Sequence, residues 1–221
     1  TGYMLMHLHI GAEGTLGIIT KLYLKLVALP KHQMDLLAVF DNLDDAIALT
    51  PKVMNAGITP VCVEFMDNAS IKQVEIFLDE KLPHSDNGNY IIIQIAGDSE
   101  DVLDDQCEKI VELAEENNAI DSLVADPAVI WKSRKAYLEA DRARSLVFSM
   151  EDIVVPMTEI PGAVQQISRL AEKYDVAMHC AGHCGDGNVH IDILKDDRTQ
   201  EEWEKMLPQI CLLYTSPSPR D

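Results

Sequence analysis

The chain has 221 residues, of which 47% are hydrophobic and 5% aromatic, so any core must be built mainly from aliphatic side chains. Its 37 acidic and 18 basic residues give a formal net charge of −19, which argues against nucleic acid as a partner because phosphates would be repelled. The longest apolar runs, such as residues 91–93, have the length of a strand, so we expect no transmembrane segment.

Strands and helices are predicted to alternate along most of the chain. Residues 15–28 predict a strand that ends near Pro30, and later apolar runs predict strands over residues 34–40, 61–65, 90–95 and 153–155. Helical periodicity covers residues 43–55, 69–78, 100–116, 128–143 and 160–173, with Asn42 and Ser99 as N-caps. This alternation predicts an α/β or α+β domain, and its β-α-β pairs favour a ferredoxin-like sheet with helices on one face.

The most informative segment is residues 182–190, Gly-His-Cys-Gly-Asp-Gly-Asn-Val-His, a glycine-rich turn between two histidines. Polar and apolar residues alternate after the turn, and the run before it is strand-like, so we expect a hairpin. Such a hairpin would bring His183 over His190, on a polar face that includes Asn188. Neutral imidazoles that converge are common ligands of divalent metals. Unrelated histidines near a turn are commoner, but the shared polar face favours a metal site.

The chain also has a glycine-rich segment near its start. Three glycines within residues 11–17 would let the backbone approach a flat ligand closely, although an ordinary glycine-containing strand would look similar. Five cysteines without regular spacing fit a reducing cytoplasm. Cys180 and Cys184 flank His183, but their spacing is not that of a structural zinc ribbon or finger.

Two of these segments resemble a known family. Residues 182–190 resemble the Gly-His-x-Gly-Asp-Gly-Asn-x-His motif in the C-terminal domain of FAD-linked 2-hydroxyacid dehydrogenases, such as D-lactate dehydrogenase, the FAD subunit of glycolate oxidase and D-2-hydroxyglutarate dehydrogenase. Residues 9–20 resemble the family segment that passes against the flavin, with Ala12 in place of the usual Ser. The resemblance implies a divalent metal (Zn, Mn or Fe) on His183 and His190. It also implies FAD near Gly11, Glu13, Gly14, Gly17, Ile18 and Ile19.

The resemblance further assigns residues to the substrate. Residues 131–134 resemble the family's Trp-x-x-Arg helix, which implies that Arg134 binds the substrate carboxylate through its planar guanidinium. Arg142 and Arg144 remain alternatives. Asn188 would line the same pocket, so Arg134 and Asn188 are the catalytic candidates. Met157 stands where relatives often have Arg after a segment that lines the pocket, which leaves the substrate side chain open.

The implied reaction is oxidation of a D-2-hydroxy acid, D-lactate or glycolate, to the 2-oxo acid. The implied electron acceptor is an electron-transfer flavoprotein, a quinone or an iron–sulfur subunit, in the cytoplasm or at the periphery of a membrane. The family's third metal ligand and catalytic base belong to a Gly-Glu-His-Gly motif that this sequence lacks. We therefore expect a fragment that is inactive alone.

The expected organisation follows from the same comparison of motifs. Residues 1–30 would be the C-terminal remnant of an FAD-binding domain, and residues 31–210 a truncated α+β cap domain for the substrate, with a ferredoxin-like antiparallel sheet. The Ser- and Pro-containing residues 211–221 resemble read-through of a sequencing adapter and are expected to be disordered. Two other classes stay open: a non-catalytic metal- or ligand-binding α/β module, and a metallophosphoesterase, for which further Asp and His clusters are missing.

Overall fold

The computed structural model describes residues 2–124 and 126–215. Within these ranges seven strands pair antiparallel in one sheet, whose order across the sheet is given by chain positions 4-1-3-2-6-7-5. The strands are β1 (His32–Phe40), β2 (Cys62–Met66), β3 (Asn89–Gly97), β4 (Asp121–Val124), β5 (Phe148–Val154), β6 (Met178–His183) and β7 (Asn188–Leu194). The histidine-bearing hairpin β6–β7 therefore lies beside the edge strand β5.

Seven α-helices accompany the strands in the described part of the chain. They are α1 (Met6–His9), α2 (Leu43–Asn55), α3 (Asn68–Leu78), α4 (Glu100–Glu116), α5 (Pro127–Arg144), α6 (Ile160–Tyr174) and α7 (Gln200–Thr215). Asn42 caps α2 as predicted, because its side chain accepts a hydrogen bond from the Asp44 amide at 2.8 Å. Ser99 occupies the N-cap position of α4 but makes no capping hydrogen bond through its side chain, so that part of the prediction is wrong.

The predicted α+β class with an antiparallel sheet is confirmed. Strands β1 to β4 have the ferredoxin-like order 4-1-3-2, with α2 and α4 on one face. The prediction that all helices share this face is wrong. One core joins α2, α4, α6 and α7 to Ile91 and Ile93, while a second core on the opposite face joins α3 and α5 to Ile92. The unbroken apolar run in β3 indicates that helices cover both faces of the sheet, because a strand covered on both faces needs apolar residues at every position.

The structure also differs from the predictions at four places. Residues 15–28 contain no strand, because they have no neighbouring strand in the described chain with which to pair. Strand β4 was not predicted because it is short and lies at the edge of the sheet, beside β1. Strand β5 begins at Phe148, before the predicted residues 153–155, and its first part contains the polar residues Ser149, Glu151 and Asp152, which hid it from an apolar pattern. Helix α7 continues to Thr215, so residues 211–215 are helical and not disordered; no proline interrupts this stretch. Residues 216–221 lie outside the described chain.

No helix in the described ranges is both long and apolar enough to cross a membrane.

Candidate active site

The β6–β7 hairpin brings the two predicted metal ligands together. His183 lies opposite Asn188 in the register, and Ala181 lies opposite His190, so both imidazoles project from the same face. Their Nε2 atoms are 3.3 Å apart, and their ring planes are nearly perpendicular at 87°. The hairpin predicted from the glycine-rich turn therefore forms, and it places the two rings edge to face.

A carboxylate holds the other nitrogen of each ring. His183 Nδ1 lies 2.6 Å from Glu64 Oε1, and His190 Nδ1 lies 2.5 Å from Asp152 Oδ1. Because a carboxylate only accepts hydrogen bonds, we assign the proton of each ring to Nδ1. Both Nε2 lone pairs then face each other across 3.3 Å, an arrangement that attracts a cation. The same carboxylate–histidine pairing orients metal-binding imidazoles generally.

The spacing of the two nitrogens fits a shared ion. Two nitrogens each about 2.1 Å from one metal, at angles between a right angle and the tetrahedral value, lie about 3.0–3.4 Å apart. His183 and His190 fall within that range. In the described residues, however, no third His, Cys, Asp or Glu converges with them into a metal-binding group. The histidines alone would thus supply two of the ligands that a metal needs.

Glu64 links this histidine pair to Arg134. Its second carboxylate oxygen, Oε2, accepts a hydrogen bond from Arg134 Nε at 3.0 Å, and its side chain is only 7% exposed. The guanidinium also lies 5.8 Å from the centre of the Tyr137 ring, one turn further along α5. The sequence analysis missed Glu64. Its signal was an acidic residue in the middle of the apolar run that forms β2.

Helix α5 is held over the sheet by other motif residues. Trp131 Nε1 donates a hydrogen bond of 2.6 Å to Asp35 Oδ1 on β1, and Tyr137 donates one of 3.1 Å to the carbonyl of His179 on β6. These contacts fix the helix at two strands, and Arg134 lies over Glu64 in the middle of β2. The two alternative arginines for the substrate carboxylate form other ion pairs: Arg142 pairs with Glu139 on its own helix, and Arg144 pairs with Asp196.

Asn188 stands beside the histidines with an unsatisfied oxygen. Its backbone amide donates to Asp186 Oδ1 at 3.1 Å within the turn. Its side-chain Oδ1 is buried and has no hydrogen-bond partner among the described residues. A buried acceptor without a donor costs free energy, commonly about 1–3 kcal/mol. An external donor at this position would remove that cost.

A second polar cluster lies deeper under α5. His179 Nδ1 is 2.5 Å from Asp141 Oδ1, and both side chains are almost fully buried. Burial, and next the charge of Asp141, raises the pKa of the neighbouring Asp192 to about 7. His179 is therefore bound to its own carboxylate and does not belong to the histidine pair.

Close packing fixes the turn between β6 and β7. Gly187 has φ +84°, and a Cβ built on it would lie 2.0 Å from the Val155 carbonyl oxygen. Gly185, in the same turn, has open space around its Cβ position. Of these two turn glycines, Gly187 requires the absence of a side chain and Gly185 does not.

Replacing Gly187 by alanine should lower the free energy of unfolding by about 3 kcal/mol or more, since the backbone strain adds to a steric clash. Gly185→Ala is the matched control and should change it by less than about 1 kcal/mol. Denaturant unfolding of both variants measures the difference. Equal stabilities would show that the turn has another conformation.

A cavity of about 470 Å³ adjoins the site beside β2. Two of its lining residues, Glu64 and His183, also belong to the histidine site. Its other lining residues are Met54, Thr59, Pro60, Val61, Cys62, Val63, Gly185 and Asp186. Apart from the Thr59 hydroxyl, the His183 imidazole and the carboxylates of Glu64 and Asp186, the side chains of the lining are apolar or cysteine, and they include no Lys or Arg. A second negative charge on a ligand would find no Lys or Arg partner among these lining residues.

The residues of the predicted flavin segment lie apart from the histidines. Gly11 and Gly14 have φ values of +77° and +79°, and no atom lies within 4 Å of a Cβ built on either. Ile18 and Ile19 are exposed, as are Glu13 and Gly17. This backbone is free for close approach by a flat ligand, but no hydrogen bond in the described chain joins it to the sheet.

Comparison with known proteins decides the family. Residues 29–211 match the family described as FAD linked oxidases, C-terminal domain. The chain belongs to this family. The predicted family membership is confirmed, and the matched range contains residues 131–134 and 182–190 but not residues 9–20.

Its relatives include enzymes of hydroxy-acid oxidation. The chain is 35% identical over 216 residues to D-lactate dehydrogenase of Anaerostipes hadrus, covering 94% of this chain and 46% of the relative. It is 32% identical over 209 residues to glycolate oxidase subunit GlcD of Bacillus subtilis, covering 93% and 44% respectively. The chain thus spans less than half the length of these relatives.

Solved structures of distant sequence share the fold. An alkyldihydroxyacetonephosphate synthase matches with a TM-score of 0.69 at 17% identity, covering 96% of this chain and 45% of that one. A p-cresol methylhydroxylase matches with a TM-score of 0.62 at 13% identity, covering 84% and 43%. At these identities the likeness extends to the fold of this FAD-linked oxidase domain and no further.

Proposed function

We propose that the chain is the metal- and substrate-binding part of an FAD-dependent dehydrogenase that oxidises a D-2-hydroxy acid, D-lactate or glycolate, to the 2-oxo acid. The observation that carries this proposal is the contact between the carboxylate-held histidine pair and Arg134 through Glu64. A 2-hydroxy acid offers two adjacent groups, a hydroxyl and a carboxylate. The histidine pair, through a bound metal, would take the hydroxyl, and Arg134 would take the carboxylate.

The histidine pair would hold a divalent ion such as Zn, Mn or Fe. Glu64 and Asp152 keep the Nδ1 protons in place, so His183 and His190 each present an Nε2 lone pair to the same point. Such an ion, when bound, lowers the pKa of a hydroxyl that coordinates it. A further ligand would have to come from residues outside the described chain, from the substrate or from water.

Arg134 would bind the substrate carboxylate. Its Nε is used by Glu64, which leaves the two terminal nitrogens to form a paired contact with a carboxylate. Asn188, whose buried Oδ1 has no partner in the described structure, would accept a hydrogen bond from the substrate. Together these groups orient the acid so that its α-carbon faces one direction only.

FAD would bind against residues 1–30, which we propose as part of the flavin domain. Gly11, Gly14 and Gly17 leave the backbone open to a flat ring, and the exposed Ile18 and Ile19 offer apolar surface to cover it. Bound flavin supplies the hydride acceptor of the reaction. An electron-transfer flavoprotein, a quinone or an iron–sulfur subunit would then remove the electrons, in the cytoplasm or at a membrane surface.

Anaerobic flavin reduction tests this proposal on the complete flavoprotein that contains this domain. D-lactate and glycolate should bleach the flavin, L-lactate should not, and a chelator should stop the bleaching until Zn²⁺ or Mn²⁺ is returned. A dicarboxylic 2-hydroxy acid should react poorly, because the lining of the adjoining cavity offers no Lys or Arg to pair with its second carboxylate. Metal uptake without any bleaching would instead support a non-catalytic binding module.

A further inference from the structure

The buried carboxylate of Glu64 contacts the proposed metal ligand through one oxygen and the proposed carboxylate-binding arginine through the other. Glu64 lies on β2 directly opposite His183 on β6, and it lies under α5. Its Oε1 accepts from His183 Nδ1 at 2.6 Å, and its Oε2 accepts from Arg134 Nε at 3.0 Å. Glu64 is 7% exposed and Arg134 is 17% exposed, so water has little access to the carboxylate itself, whereas the His183 side chain is 41% exposed.

We infer that Glu64 is a positioning residue that sets the metal ligand His183 and the carboxylate-binding Arg134 as one unit, an inference that rests on the proposed function. The carboxylate fixes the His183 tautomer, and with it the lone pair on Nε2. It also fixes the plane of the guanidinium, whose other support is the Tyr137 ring. A shift in either partner is therefore transmitted to the other.

The second histidine is held differently. Asp152 contacts His190 from the edge strand β5, and its side chain is 68% exposed. Water can replace such a carboxylate in part, because a water molecule can also accept the Nδ1 proton. Glu64 has no such substitute, and it alone connects a histidine of the pair to an arginine among the described ion pairs. The inference therefore concerns Glu64 and not Asp152.

A matched pair of substitutions tests the inference. Glu64→Gln keeps the size but leaves only one accepting oxygen for two donors, so either Arg134 loses its contact or His183 changes tautomer. Asp141→Asn changes another buried carboxylate with a similarly short histidine contact, to His179 and not to the proposed metal ligands. Both variants are made in the complete flavoprotein and compared with the parent at equal folded fraction.

Three measurements follow. Titration of the metal-free proteins with Zn²⁺ should show at least tenfold weaker binding in Glu64→Gln, and steady-state kinetics with D-lactate should show at least a tenfold higher KM. Asp141→Asn should change neither by more than about threefold. Nitrogen NMR of the histidine rings should show loss of the Nδ1–H tautomer at His183, or a free Arg134 Nε–H signal, in Glu64→Gln only.

The outcomes separate the inference from the proposed function. Glu64→Gln with parental Zn²⁺ affinity, KM and ring signals would overturn the inference. A parent that binds none of Zn²⁺, Mn²⁺ and Fe²⁺ and oxidises neither D-lactate nor glycolate would overturn the proposed function, while the NMR signals would still report whether Glu64 sets His183.

If Glu64→Gln does not fold, Glu64→Asp replaces it. The charge stays, but the shorter side chain should weaken the Zn²⁺ affinity or raise the KM at least fivefold. No change in either would also refute the inference.

Discussion

Replacing His183 or His190 by alanine should abolish turnover of D-2-hydroxy acids in the complete flavoprotein while FAD stays bound. Each substitution removes one of the two nitrogens that lie 3.3 Å apart, and the remaining imidazole cannot complete the coordination of an ion. We expect divalent-metal affinity to fall by more than about 100-fold, because loss of a ligand should exceed the tenfold to 100-fold cost of losing its supporting carboxylate. Elemental analysis, flavin absorbance and dye-linked kinetics measure the three properties separately.

His84→Ala is the control for this prediction. His84 is an exposed histidine that pairs with Asp121, far along the sheet from the hairpin in the strand order. It should keep full metal content and activity. Retention of both metal and turnover in the His183 and His190 variants would show that the pair has no part in catalysis.

Arg134→Ala should raise KM for a 2-hydroxy acid by about 10- to 100-fold, since a hydrogen bond to a charged group contributes about 1.5–3 kcal/mol. The contact with the carboxylate already exists in the bound ground state, so kcat should fall less than kcat/KM. Metal content should fall much less than in the histidine variants. Steady-state kinetics with metal analysis of the same preparation provides the test.

Two variants sharpen the arginine prediction. Arg134→Lys keeps the positive charge but loses the planar fork, so it should restore only part of the affinity. Arg142→Ala removes an exposed arginine of the same helix, paired with Glu139, and should leave KM unchanged. If Arg142→Ala raised KM as much as Arg134→Ala, the assignment of the carboxylate arm to Arg134 would be wrong.

The sequence predicted the hairpin because its signals are local. Glycines that suit a tight turn and a period of two after them are read within a dozen residues, and they place His183 next to His190. The helices with strong apolar periodicity and a clear cap, such as α2, were predicted within their observed bounds for the same reason. The class of the fold followed from their alternation.

The parts that escaped prediction depend on distant residues. Glu64 and Arg134 are 70 positions apart, and Glu64 and His183 are 119 apart, so no local pattern reveals that they meet. The side of the sheet on which α3 and α5 pack is also set by tertiary contacts. For residues 15–28, strand propensity alone misled, because a strand needs a partner for its backbone.

The X-ray absorption spectrum of the metal in the complete flavoprotein tests the central claim most directly. The account predicts imidazole nitrogens from His183 and His190 at about 2.0–2.1 Å from a bound zinc ion, and one fewer imidazole in His183→Ala loaded with zinc at a concentration high enough to offset its weaker binding. Addition of D-lactate should bring oxygen ligands into the coordination shell. A metal with no imidazole ligands, or a spectrum unchanged in His183→Ala, would contradict the account.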